Sequence, residues 1–255
     1  MKPAKSLLDT WKKFDRFPME TLTKAWHLDQ GTKKKQRDVS LMKEHREQYG
    51  MTGNCFDLAL WLLDEYKKDG IEAYPIGSKF HTEEAHAAVL ALDENGSRYL
   101  CDLGDQWLTP ILVDTDAANY TNEKLNGFFP GAKIQVQPKN NVNVEIFYHR
   151  PNGKKSAQTF NLEPIEMKDF MQAAEFSQNY IYPYPLFECR IAYQSEVAHW
   201  EFYNWESFLS TNEGLCKGDR TDSIKHWVEV IHEKSNYNKK FLTEALTIYQ
   251  KLNNN

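Results

Sequence analysis

Residues 53–70, GNCFDLALWLLDEYKKDG, are the stretch of sequence that decides the fold. Apolar side chains occupy nearly every side of the helix that this stretch predicts for Cys55–Lys68, so the helix should be buried. Asn54 is the expected N-cap, with Asp57 at the capping-box position, and Gly70 follows the last turn. The stretch therefore predicts a buried helix that begins at a cysteine.

The chain that follows this helix changes to the two-residue periodicity of β-strands. Strands are predicted at 71–76, 85–92, 99–103, 132–137, 142–148, 156–162, 186–193 and 197–203. Residues 104–131 are irregular, and a helix is predicted at 164–176. Residues 5–50 are polar and helical in pattern, and two further helices are predicted after Ser223. Helices, then a sheet, then a mixed region and helices again predict an α+β fold.

Length and composition indicate a globular protein and exclude several classes. The 255 residues suit one large domain or two small ones, and their composition excludes collagen, coiled coils and intrinsic disorder. The formal net charge of −5 argues against a general nucleic-acid binder. No apolar run approaches the roughly 20 residues of a membrane span, so no membrane association is expected. The four cysteines form no Cys-x-x-Cys pair, which favours free thiols and a cytoplasmic location.

Three residues in successive elements have the chemistry of a thiol nucleophile triad. Cys55 begins the buried helix, where free N–H groups and the helix dipole stabilise a thiolate. His86 lies on the next predicted hairpin and can take the thiol proton, while Asp102 on the partner strand can orient the imidazole. Each residue alone is more often a packing residue, but their order and context favour a triad. We therefore expect Cys55 to react faster than the other three cysteines.

The triad sets a condition on the hairpin between the two strands. A two-residue turn at Asn95-Gly96 would pair Glu94 with Ser97 and place His86 and Asp102 on opposite faces. The connection must therefore contain an odd number of residues, or a β-bulge must shift the register.

The motifs around these residues resemble those of the arylamine N-acetyltransferases, within the wider transglutaminase-like and papain-like cysteine fold. The family's Arg-x-Gly-x-Cys-x-Glu-x-Asn segment is matched by Thr52–Asp57, and its His-x-x-x-Leu strand by His86–Leu90. Its Tyr-Leu-Val-Asp-Val-Gly segment is matched by Tyr99–Gly104, and a following Pro-Leu by Pro110-Ile111. The resemblance covers residues from about 15 to 205. It implies that an acetyl group passes from acetyl-coenzyme A, through a thioester on the cysteine, to a small-molecule amine.

The resemblance also implies three lobes. A helical lobe at 1–70 would carry the nucleophile, and a β-barrel-like antiparallel lobe at 71–162 would carry the histidine and aspartate. A mixed α/β lobe at 163–255 would include the C-terminal helices. No metal cofactor is expected.

This chain departs from the family pattern on both sides of the triad. Met51 or Thr52 stands in place of the motif's arginine, Asp57 replaces the glutamate, and Ala59 stands where the asparagine would be. After Gly104 the family places a loop that contacts substrate and cofactor, and this chain has Asp105-Gln106-Trp107 there.

The loop departure makes Asp105 and Trp107 candidate substrate-binding residues. A carboxylate at this position would disfavour anionic acceptors and favour cationic or polar amines. We expect weak activity toward plain arylamines for this reason.

Several alternatives remain open at the level of sequence. The same triad could serve a cysteine hydrolase or amidase with water as the acceptor, or the fold could persist in an inactive binding protein. A zinc site built from His81, His86 and Cys101 is not expected, because the spacing does not give four ligands. The segment around His199 and Glu201, with Trp200 and Trp205, could be strand packing or a substrate wall. The oligomeric state, the acyl donor and the acceptor are not determined by the sequence.

Overall fold

The structure of the protein, a computed structural model, describes residues 1–253. Within these residues the helices are α1 (Lys5–Lys12), α2 (Leu22–Asp29), α3 (Val39–Tyr49), α4 (Cys55–Lys68), α5 (Met167–Asn179), α6 (Ile224–Ser235) and α7 (Lys239–Asn253). The first seven strands are β1 (Met19–Glu20), β2 (Ala73–Ser78), β3 (His86–Leu92), β4 (Arg98–Cys101), β5 (Ile111–Leu112), β6 (Leu125–Phe129) and β7 (Ala132–Pro138). The remaining strands are β8 (Asn143–His149), β9 (Lys155–Asn161), β10 (Leu186–Tyr193), β11 (Glu196–Tyr203), β12 (Glu206–Thr211) and β13 (Gly214–Arg220). The predicted α+β class is confirmed.

Helix α4 forms as its sequence predicts. Asn54 Oδ1 accepts hydrogen bonds from the backbone N–H groups of Phe56 and Asp57, at 3.0 and 3.2 Å. Asp57 Oδ2 in turn accepts from the N–H of Asn54 at 3.2 Å, which completes the capping box. The helix packs against β2 and β3, so its first residue lies beside the sheet that carries His86.

The strands form three antiparallel sheets. Their orders are β2-β3-β4-β5, β6-β7-β8-β9 and β1-β10-β11-β12-β13. The β-barrel-like lobe expected at 71–162 is not a closed barrel within residues 1–253, because no ladder of backbone hydrogen bonds joins β5 to β6. Strand β5 has only two residues, and an irregular segment separates it from β6. The central strands are therefore two open four-stranded sheets.

Two differences from the predicted elements have a tertiary cause. Residues 104–131, expected to be irregular, contain the short strands β5 and β6. Strands β12 and β13 were not expected, and β13 is mostly exposed, with no apolar alternation in its sequence. Strand β13 forms because β12 supplies its backbone partners, and sequence periodicity does not report that pairing.

The apolar core consists of two clusters. The larger surrounds α4 and packs it against the two four-stranded sheets, with Leu62, Leu90 and Ile146 fully buried. The second packs α2, α6 and α7 against the five-stranded sheet, where the rings of Trp227 and Phe202 are 4.4 Å apart. No helix within the described residues has both the length and the apolar character needed to cross a membrane.

Candidate active site

The hairpin between β3 and β4 has the register that a triad requires. Leu92 pairs with Arg98, and the N–H of Asp93 donates to the carbonyl of Ser97 at 3.0 Å. The loop at 94–96 therefore has three residues, an odd number, and its last residue is a glycine with φ +78°. The prediction about the loop is confirmed, and it places His86 and Asp102 on the same face of the sheet.

His86 and Asp102 are in direct contact. His86 Nε2 donates to Asp102 Oδ2 at 2.6 Å. The second carboxylate oxygen, Asp102 Oδ1, accepts from the backbone N–H of Asp105 at 3.0 Å. Asp102 is fully buried, so both partners are needed to satisfy its charge. The turn after β4 thereby holds the carboxylate in place.

The electrostatics of the pair favour an imidazolium. Burial alone would lower the pKa of His86, but the charges of Asp102 and Asp105 raise that pKa well above its ordinary value. The hydrogen bond to Asp102 and the neighbouring thiol of Cys55 act in the same direction. Because Nε2 is bound to Asp102, Nδ1 is the ring nitrogen available to a second partner. The three predicted triad residues are therefore brought together.

Gly104 lies against all three of these residues. A Cβ atom at this position would be 2.7 Å from Cys55 Cβ, 3.2 Å from His86 Cε1 and 3.2 Å from Asp102 Oδ1. A contact of 2.7 Å forces one of the groups to move. The last residue of the Tyr99–Gly104 motif must therefore be glycine for the thiol and the imidazole to meet.

The other three cysteines lie in different environments. Cys101 and Cys189 are buried, and burial raises the pKa of each thiol to about 12. Cys216 is exposed on β13, while Cys55 is partly exposed. Only Cys55 combines access to solvent with a helix N-terminus and an adjacent imidazole.

A buried polar network behind Cys55 was missed by sequence reasoning. Arg37 Nη2 lies 3.3 Å from Asp57 Oδ2, and both side chains are at most 2% exposed. Gln36 Nε2 donates to Asp57 Oδ1 at 2.9 Å, and Gln178 Nε2 donates to Asp57 Oδ2 at 3.0 Å. Met51 or Thr52 occupies the position of the family motif's arginine, and neither is charged. Arg37, which lies outside the motif, brings a guanidinium to this segment instead. One signal for this network is in the sequence, since a carboxylate on a helix that is apolar on all sides needs a partner.

Gly53 is required by the same network. Its φ is +127°, and a Cβ there would lie 2.1 Å from Asp57 Oδ2 and 2.7 Å from Arg37 Nη2. Both the backbone conformation and the space therefore exclude a side chain. The glycine two residues before the nucleophile lets the buried ion pair approach the start of α4.

Lys24 of α2 is a further cation near the thiol that the sequence did not indicate. Burial lowers the pKa of Lys24, while the charge of Cys55 and that of Asp57 act to raise it. Its Nζ donates to the carbonyl of Ser177 at 3.3 Å. Lys24 therefore places a basic group in the surroundings of Cys55 and Asp57.

A cavity of about 410 Å³ lies near the triad, although neither His86 nor Cys55 lines it. Asp105 lines this cavity, and its Oδ1 is 3.9 Å from His86 Nε2. Trp107, the other candidate for substrate contact, is fully buried and does not line the cavity. Its ring instead packs against Phe129 and Tyr148, which do line it.

The far wall of the cavity comes from the β10–β11 hairpin. Glu188, His199 and Glu201 line it, whereas Trp200 and Trp205 lie in the core. The sequence left two possibilities for this segment, strand packing or a wall of a binding site, and they apply to different faces of the strands. One face packs, and the other forms a polar wall of the cavity.

The ionisable groups of the cavity have shifted pKa values. Burial and the charge of Asp102 raise the pKa of Asp105 to about 6. Burial, with the neighbouring charges of Glu201 and Asp105, raises the pKa of Glu188 well above its ordinary value, and burial raises that of Glu201. Burial lowers the pKa of His199 to about 4, so this imidazole is neutral near pH 7.

Two groups of side chains in the described part of the chain have the composition of metal ligands. They are His86, Asp102 and Asp105, and Glu188, His199 and Glu201. Neither includes His81, whose ring packs on Phe176, or Cys101, whose sulfur lies 3.3 Å from the hydroxyl of Tyr66. In the first group, His86 and Asp102 are engaged with each other.

No protein-family model matches the sequence, and no curated protein matches it either. Solved structures do match over nearly the whole chain. An arylamine N-acetyltransferase from Nocardia farcinica has a TM-score of 0.74 at 13% identity, covering 98% of this chain and 88% of that one. The Mycobacterium smegmatis enzyme has a TM-score of 0.72 at 13% identity, covering 100% and 95%. Arylamine N-acetyltransferase from Mycobacterium marinum in complex with CoA has a TM-score of 0.72 at 11% identity, covering 98% and 94%. The chain therefore has the arylamine N-acetyltransferase fold, as the resemblance in its sequence predicts.

Proposed function

We propose that the protein is a cysteine acyltransferase, which moves an acetyl group from acetyl-coenzyme A to a small-molecule amine. The observation that carries the proposal is the contact of 2.6 Å between His86 and Asp102, with Cys55 at a helix N-terminus and all three residues gathered around Gly104. The likeness of fold supports acyl transfer, and CoA in the M. marinum neighbour supports a coenzyme A thioester as the donor.

The first half of the reaction forms an acetyl-enzyme. The thiolate of Cys55 attacks the thioester carbonyl, and a C–S bond to Cys55 forms. When the tetrahedral intermediate collapses, the C–S bond to coenzyme A breaks. The coenzyme A thiolate takes the proton of the His86 imidazolium and leaves as a thiol. His86 is then a neutral base beside an acetylated Cys55.

The second half transfers the acetyl group. An uncharged amine attacks the acetyl carbonyl and gives a proton to His86, so that a C–N bond forms. The C–S bond to Cys55 then breaks, and the thiolate is restored next to the imidazolium. Asp102 holds the imidazole in one orientation and stabilises its charge throughout.

The backbone N–H of Cys55 is the proposed oxyanion donor. Asn54 Oδ1 accepts hydrogen bonds from the backbone N–H groups of Phe56 and Asp57. The backbone carbonyl of Asn54 accepts a hydrogen bond from the N–H of Leu58 at 3.0 Å. Three of the four N–H groups in the first turn of α4 are thereby engaged. The remaining N–H belongs to the nucleophile itself, at the place where negative charge develops on the carbonyl oxygen.

The site draws on each of the three lobes proposed from the sequence. Residues 1–70 supply Cys55, residues 71–162 supply His86 and Asp102, and residues 163–255 supply the far wall of the cavity. The free state of all four cysteines is compatible with the proposed cytoplasmic location.

Intact mass after incubation with acetyl-coenzyme A tests the proposal. We expect a gain of one acetyl group on Cys55 in the wild type and in Cys216→Ala, and none in Cys55→Ala. An amine acceptor should then remove the acetyl group. Loss of the group to water, unaffected by amines, would instead support a cysteine hydrolase. No acylation by any thioester would support an inactive binding protein.

A further inference from the structure

The cavity beside His86 is acidic. Three carboxylates line it, those of Asp105, Glu188 and Glu201, against one guanidinium, that of Arg150. Arg150 Nη1 donates to the neutral Ser156 Oγ at 2.8 Å, so its single positive charge faces three carboxyl groups. Carboxyl groups thus outnumber basic groups on the cavity wall, and Asp105 connects this wall to the imidazole.

Glu188 and Glu201 are directly opposite each other in the β10–β11 ladder. Like charges at such a pair destabilise a sheet, and here both side chains are largely removed from water. Their neighbour His199 provides little relief, since its Nε2 is 3.7 Å from Glu188 Oε1 and its imidazole is neutral near pH 7. That nitrogen is buried and without a hydrogen-bond partner among residues 1–253. The pair is therefore an arrangement that a bound cation would stabilise.

The position of the pair relates it to the reaction. Asp105, which lines the cavity, is 3.9 Å from the His86 nitrogen, and the carboxylate pair lines the same cavity. Phe129 and Tyr148 give it an aromatic wall, with ring centroids 4.9 Å apart. A molecule that spans the cavity would have an apolar stem and a polar group at each end.

We propose that the cavity binds an acceptor with two amino groups on an apolar stem. One amine is uncharged and attacks the acetyl group on Cys55, while the other is an ammonium held by Glu188 and Glu201. This inference rests on the proposed function, and it names the class of acceptor, a diamine rather than a plain arylamine. His199 Nε2 can accept a hydrogen bond from the same ammonium.

The discharge of preformed acetyl-enzyme tests the inference with three acceptors of similar size. They are 4-(aminomethyl)aniline, which is cationic, 4-ethylaniline, which is neutral, and 4-aminophenylacetate, which is anionic. In each the aromatic amine is uncharged at pH 7.5 and is the nucleophile. We expect the cationic acceptor to react at least about tenfold faster than the neutral one at equal, subsaturating concentration, with the anionic acceptor slowest.

Variants that each remove one carboxylate test which residues cause the preference for the cationic acceptor. Glu188→Gln and Glu201→Gln should each reduce the ratio of cationic to neutral rates by at least about fivefold. Glu213→Gln removes an exposed carboxylate at the β12–β13 turn of the same sheet, and the ratio should not change. An equal rate for the three acceptors, or a ratio that Glu201→Gln does not alter, would overturn the inference while leaving the acyltransferase intact.

Equilibrium binding to Cys55→Ala makes the inference testable even if no acetyl-enzyme forms. Calorimetry should detect 4-(aminomethyl)aniline binding more tightly than 4-ethylaniline, with the difference lost in Cys55→Ala/Glu201→Gln. That result without any acylation would reject the proposed function and retain the cation site.

Zinc chloride and manganese chloride are added in a separate arm, because the ligand atoms of Glu188, His199 and Glu201 lie within 4.8 Å of one another. Metal binding that depends on these residues, with no such dependence for the diamine, would overturn the inference in favour of a metal site.

Discussion

His86 Nε2 lies 2.6 Å from Asp102 Oδ2, and the two residues meet because the loop between their strands has three residues. A loop of two residues would move one of them to the opposite face of the sheet. The contact therefore links a local feature, the turn at 94–96, to the chemistry of the site. It also fixes the imidazole at Nε2, which leaves Nδ1 available to the thiol of Cys55.

Cys55 should be the most reactive cysteine in the folded protein. At pH 6 we expect iodoacetamide to label it at least about tenfold faster than the exposed Cys216, because the helix N-terminus and His86 stabilise its thiolate. Cys101 and Cys189 should stay unlabelled until the protein unfolds, because they are buried and their pKa values are raised to about 12. Mass mapping of the labelled peptides measures all four rates. Equal labelling of Cys55 and Cys216 would contradict the prediction.

Two glycine replacements, Gly104→Ala and Gly153→Ala, should distinguish an effect on the reactivity of Cys55 from an effect on the stability of the fold. In Gly104→Ala the new Cβ would meet Cys55 Cβ at 2.7 Å, so the thiol and the imidazole must move apart. We expect alkylation of Cys55 to slow at least about tenfold, since a small displacement of reacting groups has a large effect on rate. Gly153→Ala is the matched control, because φ is +80° there and nothing lies within 4 Å of the new Cβ. It should cost about 1 kcal/mol of stability and leave alkylation unchanged.

Removal of the buried guanidinium should destabilise the protein strongly. Arg37→Met leaves the Asp57 carboxylate buried without its ion-pair partner, which typically costs about 3–5 kcal/mol. Lys34→Met breaks an exposed pair with Asp38 instead, and should cost less than about 1 kcal/mol. Urea denaturation followed by tryptophan fluorescence compares the two variants. A similar, small loss in both would mean that the network does not support the start of α4.

The residues of the candidate site differ in how well the sequence predicts their contacts. Local signals were sufficient for α4, for its capping box and for the condition that the hairpin loop contain an odd number of residues or a bulge, because each depends on neighbours in the chain. Arg37 and Gln178 could not be assigned to Asp57 in this way, since the contacts cross 20 and 121 residues. Likewise the pairing of Glu188 with Glu201 follows from the hairpin, but their place beside His86 follows only from the packing of two sheets.

The His86–Asp102 pair should make stability depend on pH in a specific direction. The folded pKa of His86 is raised above its unfolded value of about 6.5, so the pair's contribution is fully present below that pH. It is lost as pH rises through the folded pKa. Asp102→Asn removes the charge that raises this pKa. The difference in unfolding free energy between the two proteins should therefore be largest near pH 6 and shrink in alkaline solution.

Urea denaturation from pH 6 to pH 10 measures that difference. Both proteins should carry Cys55→Ala, so that ionisation of the thiol does not contribute. A difference that is constant across this range would show that Asp102 stabilises the fold without acting on the charge of His86.

Asp105 should limit the turnover of plain arylamines. Its carboxylate stands 3.9 Å from His86 Nε2, and its pKa of about 6 means that it is charged at pH 8 and largely neutral at pH 5. Asp105→Phe should raise the turnover of neutral 4-ethylaniline, by at least about threefold at pH 8, and reduce the preference for a cationic acceptor. Asp105→Asn removes the charge while keeping the shape, so it distinguishes loss of the carboxylate charge from gain of an aromatic contact as the cause of faster turnover. An increase in both variants assigns the effect to charge, and an increase in Asp105→Phe alone assigns it to an aromatic contact. If the wild type prefers the anionic 4-aminophenylacetate, the carboxylate does not govern acceptor choice, and the acidic wall of the cavity needs a different explanation.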